Sequence, residues 1–262
     1  HEAVTLANRA NFCMERSRFE AARADYEAAL ALYRALGSTA ALGITLGNLG
    51  TLDHELGRHG EAAASYEAAL QIHRETGSLT QQAITLANLA LLRTTLGALD
   101  EAEALNAEAL EIQRRTGNRR SVGVVTGQVA ALRRLRGDAA GALALYEEAL
   151  AVHREVGNRR FEAGTLGHIG DILVERGRAA EAGPCIDRGV VLLRELGDRL
   201  SLATVLCVRG VAAAAVGERA QALDALHEAE ALAEAVGALP ESDTGRAIAA
   251  LRARLAEPVP PG

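Results

Sequence analysis

With 262 residues, a net charge of −6 and only 3% aromatic residues, the chain lacks both the basic surplus of a nucleic-acid binder and the aromatic platforms that stack bases. Hydrophobic content is nevertheless 49%, carried by Ala, Leu and Val, which suits closely packed helices and suits strands poorly. Cys13, Cys185 and Cys207 lie too far apart for a disulfide framework or a zinc site, and no apolar run reaches the ~18 residues of a membrane span. The expectation is a cytoplasmic protein with no cofactor, no metal and no membrane partner. All 28 basic residues are Arg, which reads as the codon bias of a GC-rich bacterial genome.

His1 to Leu6 aligns with Ala41 to Leu46 and falls inside a helix that has no capping residue before it. The chain therefore reads as a fragment of a longer protein with an uncapped first repeat. From there a register takes over. Gly37, Gly77, Gly117, Gly157, Gly197 and Gly237 recur every 40 residues, and Gly57, Gly97, Gly137, Gly177 and Gly217 run midway between them. A fixed period of this length signals a repeat array, in which residues serve stacking and one extended surface.

Residues 41–80 show the unit. Leu42, Leu46, Leu49, Leu52 and Leu56 recur at helical spacing; Gly57 interrupts, and Ala62, Tyr66, Ala69, Leu70 and Ile72 mark a second helix that ends at Gly77. Each helix should be about 25 Å long. Ser38, Ser78, Asn118, Asn158 and Asp198 follow the glycines as expected N-caps. Gly50, Ala90, Ala130, Gly170 and Gly210 on the first helix mark close helix approach, as do Ala22, Ala62, Ala102, Ala142, Ala182 and Ala222 on the second. Gly164 to Gly170 is read the same way. His73 and His153 fall near helix ends, where a protonated His suits the dipole.

The run Leu46-Gly47-Asn48-Leu49-Gly50, with Leu56-Gly57, Glu61-Ala62, Tyr66-Glu67 and Ala69-Leu70, resembles the tetratricopeptide repeat. The 40-residue period is similar to that of kinesin light chains, of GoLoco-containing spindle adaptors and of helical regions in large bacterial signalling proteins. The resemblance implies an all-α solenoid: six helix pairs over 1–237 in a right-handed superhelix, first helices lining a concave groove. Residues 238–256 read as a C-terminal capping helix made polar by Arg246, Arg252 and Arg254, and 257–262 as a flexible Pro-rich tail.

One first-helix position carries Asn8, Asn48, Asn88, Gln128 and His168 in successive repeats, then Val208. A carboxamide both donates and accepts, so this row can bond an extended backbone, and the resemblance implies that role. The rival reading has the amides bond neighbouring helices and hold the stack. Thr51, His54, Arg134 and Asp171 are expected on the same face. A second candidate is the run Arg114, Arg115, Arg119, Arg120, Arg133, Arg134 and Arg136, suited to an acidic segment or simply a solvated face.

No His spacing fits a metal site, and no nucleophile motif stands out; Cys207 reads as a small core residue. The expectation is a non-catalytic module, part of a larger bacterial signalling or regulatory protein, that binds a partner peptide or helix in its groove. A peptide sensor that changes superhelical shape and a module that self-associates through the uncapped first repeat stay open beside it.

Overall fold

In the computed structural model, which describes residues 1–16, 18–240 and 242–256, the glycine register becomes the helix boundaries. All eleven register glycines have positive φ, as at Gly77 (65°), where a side chain would be strained. At this junction the Gly77 amide donates to the Arg74 carbonyl and the Ser78 amide to the His73 carbonyl, a Schellman closure that satisfies the last carbonyls of the helix.

The helices are α1 (Glu2–Glu15), α2 (Phe19–Ala35), α3 (Thr39–Glu55), α4 (His59–Glu75), α5 (Leu79–Thr95), α6 (Leu99–Arg115) and α7 (Arg119–Leu135), followed by α8 (Ala139–Glu155), α9 (Arg159–Glu175), α10 (Ala179–Leu196), α11 (Arg199–Ala215), α12 (Arg219–Ala235) and α13 (Asp243–Ala256). No strand occurs among the described residues. The expected tail at 257–262 lies outside them.

Capping differs from expectation. Asn118 and Asp198 accept from the backbone N–H of Ser121 and Ser201 at 3.2 and 3.1 Å, but Ser38, Ser78 and Asn158 make no such bond. The Ser78 hydroxyl pairs with Thr76 instead, at 3.0 Å. The Schellman bonds satisfy carbonyls of the preceding helix and recur at the Asn118 and Asp198 junctions, so a side-chain cap is an added bond rather than a condition of the turn.

Contacts group the chain into two compact units, His1–Leu132 and Arg133–Gly262. In the first unit α1 packs on α2, α3 on α4 and α5 on α6, while α2 also contacts α3, and α4 contacts α5. In the second, α9 pairs with α10 and α11 with α12, and α13 lies across both α11 and α12. The Ala22, Ala62, Ala102, Ala142, Ala182 and Ala222 side chains are fully buried. A Cβ on Gly50 would stand 2.8 Å from the Tyr66 ring, and one on Gly170 would collide with Ile186. Gly164 breaks the pattern, because a Cβ there meets nothing within 4 Å.

Helix α13 buries Ile248, Leu251 and Leu255, and joins α11 through Thr204 and Thr244 at 2.9 Å. Its Arg246, Arg252 and Arg254 stay exposed, the polar outer face a terminal helix needs. His73 and His153 are core residues rather than dipole partners: each is 1% exposed, and burial pulls the His73 pKa below its ordinary value. Cys207 is a buried free thiol whose pKa burial pushes up to about 12.

Candidate functional site: the exposed face of the first helices

The odd-numbered helices bury one side and show the other to solvent. In α3, Thr45, Leu46, Leu49 and Asp53 are buried, whereas Ile44 and Glu55 are exposed and Asn48 and Thr51 half-buried. These last four lie at i, i+4, i+7 and i+11, one stripe of a 3.6-residue helix. The 40-residue register repeats the stripe in α1 and α5, so rows of equivalent side chains cross the helices of the first unit.

The amide row occupies this stripe. Asn8 is exposed, and Asn48, Asn88 and Gln128 are half-buried. Asn48 Nδ2 donates to Oδ1 of Asn11 on the neighbouring first helix at 3.2 Å, and Asn11 also accepts from the Tyr26 hydroxyl at 2.6 Å. Thr51 accepts from the Tyr66 hydroxyl at 3.2 Å. The Thr95 hydroxyl lies within hydrogen-bond reach of both the Leu91 carbonyl and His54 Nε2, each at 3.2 Å. The tyrosines thus reach from the second helices to brace the row from behind. Their phenols are driven up to about 12, Tyr66 by burial and Tyr26 by burial and then Cys13.

A further row was not anticipated. Four residues before each amide stand Val4, Ile44 and Ile84, 52%, 41% and 38% exposed, with Val124 half-buried at the same position of α7. The signal was present as β-branched residues at 40-residue intervals. Apolar residues on a helix read as core by default, so only their phase against the buried set reveals them.

In the second unit the same face has different chemistry. One nitrogen of Arg134 donates to Asp171 at 2.6 Å and also to Glu175. Burial opposes the Arg134 charge, but these carboxylates outweigh it and its pKa rises. His168 stacks on Tyr146 with ring centroids 5.0 Å apart. His168 is exposed on this face, yet the atoms packed around its ring and then the Arg134 charge hold its pKa below the ordinary value. Tyr146 is buried and raised to about 12. Gly164 and Thr204 replace the apolar row here.

The arginine run does not gather at one place. Arg114, Arg115, Arg119 and Arg120 flank the α6–α7 turn, while Arg133 and Arg136 stand about 20 Å away at the far end of α7. Arg115 lies 3.9 Å from Glu111 and Arg133 3.8 Å from Asp138. Among the described residues no group of His, Cys, Asp and Glu is placed to hold a metal ion, and no helix is long and apolar enough to cross a membrane.

A separate surface lies on α1 and α2. Phe12 is 50% exposed, although its counterparts Leu52, Leu92 and Ile172 are buried under packed neighbours. It lines an open pocket of about 510 Å³ with Arg9, Cys13, Arg18, Ala21, Ala24 and Asp25, and the Arg16 guanidinium sits 4.5 Å over its ring.

The family model for the tetratricopeptide repeat matches residues 1–75 and 81–159. No curated protein gives a significant match. Among solved structures, a Rap protein complexed with competence and sporulation factor aligns with a TM-score of 0.74 at 16% identity, over 97% of this chain and 76% of that one. NprR in complex with its cognate peptide NprX aligns at 0.69 and 17% identity, over 97% and 71%. The kinesin light chain TPR-like repeats of Podosopora anserina align at 0.53 and 18%, over 72% and 94%.

Proposed function

Because this chain belongs to the tetratricopeptide repeat family, we propose that it is a non-catalytic interaction module whose first-helix face receives a segment of a partner protein. The carrying observation is the recurrence of Asn8, Asn48 and Asn88 on the exposed stripe, where a core would demand Leu or Ala. In this reading the amides bond the backbone of the segment, with Thr51 and His54 beside them; Arg134, Asp171 and His168 tune the second unit. A cytoplasmic bacterial signalling or regulatory protein is the proposed setting. The NprR structure in complex with its cognate peptide shares the fold and supports peptide as the ligand class.

Peptides selected from a random display library on the wild-type chain provide the test. They should bind the Asn48→Ala/Asn88→Ala variant at least ~10-fold more weakly while its melting curve stays near wild type. Undiminished binding would move the site elsewhere. A peptide-dependent change in radius of gyration would favour a sensor over a scaffold.

Exposed Phe12 favours a second reading, self-association through the first repeat. A mass that grows with concentration and reverts in Phe12→Asp would establish it; a constant monomer would dismiss it.

A further inference from the structure

Resting on the groove reading above, we propose that the first unit recognises an extended, uncharged segment with an apolar side chain at every third residue. Two rows run side by side across the first helices: Val4, Ile44 and Ile84, and one helical turn away Asn8, Asn48 and Asn88. Rise per residue puts about 6 Å between the rows along each helix.

Across the helices the spacing follows from contact. Asn48 of α3 bonds Asn11 of α1, and His54 of α3 bonds Thr95 of α5, so successive first helices lie within side-chain reach of each other. Packed helices stand about 8–10 Å apart. An extended strand rises about 3.3 Å per residue and a polyproline II chain about 3.1 Å, so three residues span about 9–10 Å. A chain laid across α1, α3 and α5 therefore returns to an equivalent position after three residues, and in polyproline II geometry its side chain then points the same way. One side meets Val4, Ile44 and Ile84 in turn. Its backbone passes the amide row.

A helical ligand could match the same spacing with apolar residues seven apart, at about 1.5 Å per residue. Its N–H and C=O groups are already paired internally, which would leave the amides idle. The rows offer no formal charge, so they select neither a terminal carboxylate nor an acidic segment.

Fluorescein-labelled, uncharged Ser/Gln-based peptides of equal composition test the proposal by anisotropy. One carries Leu at positions 2, 5 and 8, a second at 2, 4 and 6, and a stapled helical 17-mer at 2, 9 and 16. The first should bind at least ~10-fold tighter than the others, and Ile44→Asp/Ile84→Asp should erase that preference. Both residues are exposed, and a melting curve near wild type confirms that the variant folds. Tightest binding by the second or third peptide, or a preference indifferent to the Ile substitutions, overturns the period-three rule while leaving the groove standing. If no peptide binds and the display-library test also fails, the groove reading itself falls and the rule with it.

Discussion

Asn48 and Asn11, on neighbouring first helices, are joined by an amide-to-amide hydrogen bond of 3.2 Å, and the same Asn11 oxygen holds the Tyr26 hydroxyl. The stack-holding role expected of the amide row is therefore met by this pair, while Asn48 itself remains half-buried on the exposed stripe. Asn11→Ala strands two donors and should lower stability by about 1–2 kcal/mol, whereas Asn48→Ala removes one partly solvated bond and should cost about 0.5 kcal/mol. Urea titrations would rank them. A larger loss for Asn48→Ala would assign that amide to the stack rather than to the ligand.

Glycines inside the helices should separate into two classes. A Cβ at Gly50 would approach the Tyr66 ring at 2.8 Å, but at Gly127 it meets nothing within 4 Å. Gly50→Ala should destabilise by about 1–3 kcal/mol through overpacking. Gly127→Ala should stabilise by roughly 0.5–1 kcal/mol through helix propensity. Thermal midpoints moving in the same direction would refute the packing argument.

His73 gives the array a sensitivity to acid. Burial lowers its folded pKa below the unfolded value near 6.5, so the unfolded chain binds the proton more readily. The contribution is complete above about pH 6.5 and is lost as pH falls below it. Leu193 fills the equivalent position in a later repeat and is buried. His73→Leu should therefore lose less of its melting temperature between pH 7.5 and 5 than the wild type loses. Parallel curves would show that His73 does not titrate on unfolding.

Repeat three carries a fault in its core. Asn106 stands where Tyr26, Tyr66 and Tyr146 stand in other repeats, and neither of its amide atoms has a partner among the described residues despite full burial. An apolar residue of similar size removes that penalty, so Asn106→Leu should raise stability by about 1–3 kcal/mol. A fall in the melting temperature would mean that the amide is satisfied by bound water.

The helix ends were legible because only glycine meets the positive φ each junction requires, at all eleven register positions. The buried alanines were legible for a similar reason: no larger side chain fits. Which amide bonds which neighbour was hidden, because the Asn48–Asn11 bond spans 37 positions and depends on how helices are offset. The trio of Arg134, Asp171 and Glu175 was hidden in the same way. Sequence proximity made the arginine run look like one patch, whereas the length of α7 holds its two ends apart.

The pairing of α1 with α2, α2 with α3, and so on through α6 keeps the principal contacts of the first unit within about two helices along the chain. Such a chain closes only short loops as it orders itself, and loop-closure entropy grows with the length closed. Low contact order then predicts folding in microseconds to milliseconds, with no distant segment needed before structure begins. A ribosome releasing this sequence from its N-terminus would expose each helix beside its partner almost as soon as both had emerged, so the chain could acquire its native neighbours during synthesis.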